Sequence, residues 1–320
     1  MNNVKITMLG SSGVGKTSLM AAIYERSNIV LQNTQLEFIA SSDTKPRLEA
    51  CLQELKDLSN NNRFRANGGV SGTQDPALFS FNLNKRGSNK SSIEFTFQDF
   101  PGGYHVHNPE YLKQSLTECN AVLIAIDATA MMEEKGKWHE EINRTQQILE
   151  LFEQTYQQLD LPKLIMLVPI KCETYMTDLK SQDKLYQTIA ERYQNLIKFF
   201  RSPSLFGKVN VVITPVETIG TVVFGRIQEI QGEPQFFYCK RNSSLNDYNP
   251  QGGEEVLRHL LRFLLVSHIE QKKLLFGFNW VYNLLNRDTE FHDAIKKLMV
   301  DSPSNRSIPI IETALLVASK

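Results

Sequence analysis

Within the first twenty-four residues an apolar run, Val4, Ile6, Met8 and Leu9, leads into Gly10-Ser11-Ser12-Gly13-Val14-Gly15-Lys16-Thr17. A helical period at Leu19, Met20, Ile23 and Tyr24 follows directly. This order of strand, glycine-rich loop and helix constrains the fold more than any other feature of the chain. The spacing G-x-x-x-x-G-K-[ST] has a mechanical meaning: Gly13 and Gly15 let the backbone curl so that successive N–H groups point inward at a β-phosphate. Lys16 reaches the β- and γ-phosphates, and the Thr17 hydroxyl ligates Mg²⁺. The helix start adds the positive end of its dipole, so Ser12, Gly13, Val14, Gly15, Lys16, Thr17 and Ser18 together form an anion cradle. A chance glycine turn would not come with strand and helix in order on either side. The chain is expected to bind a nucleoside phosphate.

At 320 residues, 41% apolar and 22% charged, the chain is long enough for one large domain or two small ones around a substantial core. Its 35 basic residues equal its 35 acidic ones, so no global field favours nucleic acid or an acidic membrane. Cys51, Cys119, Cys172 and Cys239 are scattered with no C-x-x-C pair and read as reduced thiols. The strand at the very start leaves no room for a signal peptide, the apolar stretch Ala121–Ile126 is too short to span a bilayer, and Val317–Lys320 carries no prenylation signal. A cytoplasmic chain with no membrane insertion is the expectation.

Strand and helix patterns alternate, which predicts an α/β fold with a mostly parallel sheet. A helix is predicted around Leu48, Cys51, Leu52, Leu55 and Leu58, and a loose, mobile loop over Ser59–Pro76, rich in asparagine and glycine. Phe79, Phe81 and Leu83 alternate with polar residues, as do Ile93, Phe95 and Phe97, with Gly87-Ser88-Asn89 between them; this is a β-hairpin signal and places one antiparallel edge strand on the sheet. Further strands are predicted at Ala121–Ile126, Leu164–Val168 and Val209–Ile213. Helices are predicted through Ile142, Leu149, Phe152, Tyr156 and Leu159 and over Lys184–Phe200. An appended strand pair, Thr221–Phe224 and Gln235–Tyr238, precedes a strong helix from about Glu254. From Leu274 the pattern is helical again, and the end is a polar tail broken by Pro303 and Pro309.

A phosphate loop needs an acidic residue on another strand to hold the metal through water. Asp127 ends the hydrophobic run Val122–Ile126, and Asp99 ends the Phe95–Gln98 strand and opens D-F-P-G. In a D-x-x-G pattern the aspartate sits by Mg²⁺ and the Gly102 N–H contacts the γ-phosphate, which makes the following segment sensitive to that phosphate. Its place after a hairpin strand favours Asp99 over Asp127.

With these pieces in place the chain resembles the Ras-like and translation-factor class of P-loop GTPases. The likeness rests on G-S-S-G-V-G-K-T at Gly10–Thr17, D-F-P-G at Asp99–Gly102 and the antiparallel hairpin strand before it. The long insertion and extra C-terminal helices look like bacterial standalone GTPases of the double-GTPase group. The resemblance implies a three-layer GTPase-type fold over residues 1–273 with an insertion at about 27–72, and a C-terminal helical extension and tail over 274–320. It implies GTP or GDP and Mg²⁺ as ligands, and a switch threonine completing the Mg²⁺ shell: Thr73 matches best, with Thr34 behind it. The expected base motif N-K-x-D reads Ile170-Lys171-Cys172-Glu173 here, so Lys171 lays its stem across the base and Glu173 stands for the aspartate. Thr214–Thr218 replaces S-A-[KL], which leaves the Val216 backbone N–H as the contact. Gly103 follows D-x-x-G where a water-orienting residue is common, with His105 and His107 close by. His105 is the catalytic candidate beside Lys16, and Arg63 and Arg65 are weaker candidates for a built-in arginine finger. Trp138-His139 and Phe236-Phe237-Tyr238 have no chemical spacing and read as packing.

The resulting expectation is a Mg²⁺-dependent GTP-binding switch with slow hydrolysis, read by a protein effector or a second GTPase; the oligomeric state is left open. Two alternatives stand beside it. One is an ATP-using P-loop NTPase with Asp127 as its acidic residue, against which Ala128 counts because a general-base glutamate would be expected there. The other is a non-hydrolysing nucleotide-bound scaffold, consistent with Gly103.

Overall fold

In the computed structural model, which describes residues 3–32, 34–60, 63–65, 76–87, 93–101, 108–241, 248–271, 293–295, 297 and 306–311, the expected alternation is present. The chain runs β1 (Asn3–Leu9), α1 (Lys16–Leu31), β2 (Leu36–Ala40), α2 (Thr44–Asn60), β3 (Arg63–Arg65), β4 (Ala77–Lys85), β5 (Ile93–Asp99) and α3 (Pro109–Glu118). It continues through β6 (Ala121–Asp127), α4 (Ala128–Met132), α5 (His139–Asn143), α6 (Thr145–Thr155), β7 (Lys163–Ile170), α7 (Leu179–Arg192), α8 (Gln194–Phe200) and β8 (Val209–Ile213). Then come β9 (Val222–Ile230), β10 (Glu233–Lys240), α9 (Gly253–Gln271) and β11 (Ile308–Ile311).

Eight strands form one sheet in the order β11-β8-β7-β6-β1-β5-β4-β2. The middle of it, β8-β7-β6-β1-β5, is parallel. Strands β6 and β7 are buried at every position, as unbroken apolar runs covered by helices on both faces must be. Helices α1, α2 and α9 cover one face, and α3, α6, α7 and α8 the other. The predicted hairpin is β4–β5, antiparallel with Phe79 opposite Phe97 and Phe81 opposite Phe95. Its buried face is an aromatic cluster: Phe38 stacks on Phe81 at 4.8 Å, and Phe97 meets Phe81 edge-on at 5.8 Å.

The α/β class stands, with more antiparallel structure than the sequence pattern indicates. β4 is an inner strand because β2 pairs with it, and the sheet is edged by β2 on one side and β11 on the other. Pro309, read as a tail breaker, lies in edge strand β11, where a missing N–H is tolerated. The segment expected as a mobile loop contributes β3, which joins β10 and β9 in a second, three-stranded antiparallel sheet. Two helices predicted as continuous are each broken. Arg144, at φ 50°, separates α5 from α6, and Tyr193 separates α7 from α8. Much of residues 274–320 lies outside the described residues; within it, Ile295 is buried in the main core. Among the described residues no helix is long and apolar enough to cross a membrane, and all four cysteines are free thiols.

Candidate functional site

The loop between β1 and α1 takes the conformation its glycines allow. Gly13 and Gly15 have φ of 71° and 113°, a left-handed region costly to residues with a Cβ. Gly15 is also the N-cap of α1 and has no side chain to satisfy the first-turn N–H groups, which leaves them as donors for an anion. A Cβ on Gly15 would stand 3.0 Å from Ile170 Cδ1, so the residue in the family's asparagine position packs directly under the loop.

Lys16 is folded inward, 6% exposed, with Nζ donating to the carbonyls of Gly10 at 3.0 Å and Ser11 at 3.3 Å. Asp99, fully buried at the end of β5, approaches both motif residues: Oδ1 is 3.7 Å from Lys16 Nζ, and Oδ2 accepts from Thr17 Oγ1 at 3.4 Å. Burial lowers the Lys16 pKa, and the charge and hydrogen bond of Asp99 partly offset it. A buried carboxylate beside a hydroxyl at a helix N-terminus is an all-oxygen donor set for a hard cation, and Thr17 and Asp99 fit Mg²⁺. Thr73, Gly102, His105 and His107 lie outside the described residues.

Asp127 sits elsewhere. Its Oδ1 accepts from Ala130 N–H at 2.9 Å, capping α4, and its Oδ2 takes Lys171 Nζ at 2.7 Å. Asn143 brackets its backbone with hydrogen bonds of 2.8 and 3.1 Å. A carboxylate with both oxygens occupied as cap and ion pair is placed as a structural brace, which weighs against the ATP-using alternative.

The base-motif residues do come together, but with partners of their own. Lys171, at φ 53°, also donates from Nζ to Gly13 O at 3.3 Å and so ties this loop to the phosphate loop. Glu173 is 2% exposed, and its Oε1 accepts the N–H groups of Ile219 at 3.0 Å and Gly220 at 3.2 Å. Burial pushes its pKa up to about 7, helped by the charge of Glu217 and limited by those backbone donors. The Val216 N–H donates to Pro169 O at 2.9 Å. In this conformation, therefore, neither Glu173 Oε1 nor the Val216 N–H faces an open pocket. Arg65 donates to Gln235 across the second sheet at 2.8 Å. Trp138, Phe236 and Tyr238 pack with Ala130 in a small core of their own, as their lack of chemical spacing suggests.

Several contacts had no sequence signal. Thr129 Oγ1 and Tyr238 OH lie 2.8 Å apart, joining the second sheet to α4. Glu217, next to Val216, is held by Arg241 and Arg306. Each links residues far apart in the chain, and no local spacing joins the two ends.

The Double-GTPase 2 family matches the chain over residues 5–203. Similar solved structures include the S. cerevisiae Ski7 GTPase-like domain bound to GTP, 15% identical over 68% of this chain and 44% of that one, with a TM-score of 0.39. The signal recognition particle receptor SRb-GTP/SRX complex from Chaetomium thermophilum is 16% identical over 68% of this chain and 91% of that one, at 0.36. Aquifex aeolicus Era, bound to GDP.AlF4-, is 16% identical over 68% of this chain and 52% of that one, at 0.32. The chain thus spans less than half the length of the Ski7 chain, and no curated protein matches it. With its phosphate loop between β1 and α1, and Asp99 brought to Lys16 and Thr17 by the parallel pairing of β1 with β5, the chain belongs to the Double-GTPase 2 family.

Proposed function

We propose that the chain is a Mg²⁺-dependent GTP-binding switch that hydrolyses GTP slowly and is read, and stimulated, by a protein partner. The observation that carries the reading is the convergence of Lys16, Thr17 and Asp99 at the N-terminus of α1. Lys16 and the first-turn N–H groups bind and orient the phosphates, and Thr17 and Asp99, with Thr73 as the expected third oxygen, hold the metal. Mg²⁺ supplies charge neutralisation at the β- and γ-phosphates. Lys171 covers the base. Gly103 supplies no side chain to orient the attacking water, and His105 is the residue within the segment that could. The partner is an effector or a second GTPase that recognises the segments after β3 and after Asp99 when a γ-phosphate is held.

The occupied Oε1 of Glu173 favours a second reading, in which base preference is weak and the phosphates and Mg²⁺ carry the affinity. One set of measurements separates them: affinities for GTP, GDP and ATP with and without Mg²⁺, and the single-turnover rate. The switch predicts preference for GTP over ATP and unaided turnover of about 10⁻⁴–10⁻² per second. Equal affinity for GTP and ATP supports the second reading, and tight GTP binding without turnover makes the chain a scaffold. Lys16→Ala should weaken GTP binding roughly 10- to 150-fold, through loss of a charge-assisted contact of about 1.5–3 kcal/mol.

A further inference from the structure

Beyond the phosphate end, charged groups gather beneath the turn that follows β8. The Glu217 side chain is 4% exposed and lies between two guanidiniums, with Arg306 Nη1 at 2.6 Å from Oε1 and Arg241 Nη2 at 3.5 Å from Oε2. Its backbone exchanges hydrogen bonds with Gln251 at 2.9 and 3.0 Å. Arg241 also donates to the Glu173 carbonyl at 2.7 Å, so the Lys171–Glu173 loop and the 216–220 turn share one ionic bracket. Glu173 Oε1 closes the same bracket from the other side by accepting from Ile219 and Gly220.

Arg306 reaches this place because β11 pairs with β8. Tyr186 OH donates to the Arg306 carbonyl at 2.7 Å, and Arg201 donates to the Ile310 carbonyl at 3.0 Å, which fixes the segment at both ends. Without Arg306 the buried Glu217 would keep one guanidinium, more distant and on its other oxygen. A buried carboxylate that loses its closer counter-charge draws in water or shifts its backbone, and here that backbone adjoins Val216.

We infer that Arg306 is a positioning residue for the base end of the nucleotide site: by neutralising Glu217 it holds the 216–220 turn and, through it, the Lys171–Glu173 loop. The inference rests on reading the site as nucleotide-binding. Phosphate binding at the N-terminus of α1 does not depend on Arg306, and base binding does.

The test compares the full chain with Arg306→Ala, Arg306→Lys and the double variant Arg306→Ala/Glu217→Gln. Affinity and release rate are measured with a fluorescent GTP analogue, and inorganic tripolyphosphate, which has no base, is the competitor. Arg306→Ala should lose about tenfold in affinity for the GTP analogue, mostly as faster release, with tripolyphosphate affinity unchanged. Adding Glu217→Gln removes the uncompensated charge and should recover most of the loss, a coupling expected only of interacting groups. Arg306→Lys keeps the charge without the planar fork and should fall between; it carries the test if Arg306→Ala does not fold. Unchanged affinity for the GTP analogue, or equal losses of analogue and tripolyphosphate, overturns the inference while leaving the nucleotide reading intact. A wild-type chain that binds neither ligand overturns both.

Discussion

Asp99 faces Lys16 and Thr17 at once, and this double role can be tested. Asp99→Asn keeps the shape and removes the charge, so the gain in GTP affinity on adding Mg²⁺ should shrink sharply; an unchanged Mg²⁺ dependence would place the metal elsewhere. Glu173 yields a test in pH. Its carboxyl ionises from about 7 when folded against 4.5 when free, so the unfolded chain releases this proton first and stability falls as pH rises through that window. Buried His139 and half-buried His259 work the other way: desolvation lowers both from 6.5 to about 4, and stability is lost as pH falls between those values. Glu173→Gln removes the opposing contribution, so its melting temperature should drop more steeply than the wild type's from pH 6.5 to 4.5. Parallel profiles would show that Glu173 ionises normally. At this scale the phosphate loop and the pair Asp99 and Asp127 were legible, because they lie in fixed local spacing at strand ends. The environment of Glu173 was not, since its partners Ile219 and Gly220 arrive from another loop.

The packing of α9 on α1 shows how much rests on one small residue. A Cβ on Gly253 would lie 2.4 Å from the Ala22 carbonyl oxygen, in the middle of α1. The contact is held by a forked pair in which Arg26 donates from Nε and Nη2 to Glu254, each at 3.0 Å. Burial alone would raise the Glu254 pKa, but the hydrogen bond from Arg26, a backbone hydrogen bond and the charges of Arg26 and Arg258 together keep the carboxyl below its usual range. Gly253→Ala must push the helices apart and should cost about 1–3 kcal/mol, read as a lower midpoint in urea unfolding. No loss would mean that α9 slides freely on α1. Elements with strong periods were legible: the β4–β5 hairpin by its alternation, α2 and α9 by their leucines. Breaks without punctuation were not, for neither Arg144 nor Tyr193 is a glycine or proline. Strand β3 is three residues long, too short for any period, and its partner β10 lies far along the chain.

Across the whole molecule the sheet is ordered very differently from the sequence, with the first strand near its centre and the last at its edge. That β1 is central follows from the phosphate-loop pattern; that residues 306–311 return to pair with β8 follows from nothing local. Every residue of β8 is buried, and β11 covers its outer edge. A chain ended at residue 305 should therefore expose an edge strand that is apolar at every position but Asn210, and should self-associate, with a higher apparent mass in light scattering than the full chain at equal concentration. Equal masses would mean that β11 protects nothing.

The position of β11 also bears on synthesis. Roughly ninety residues separate β8 from β11 in sequence, and a ribosome adding about 5–20 residues per second takes roughly 5 to 20 seconds over that span. Throughout this interval the nascent chain can assemble its parallel centre while β8 stays open to whatever strand comes near. The risk of mispairing is thus concentrated in one stretch of translation, and it closes when residues 306–311 emerge.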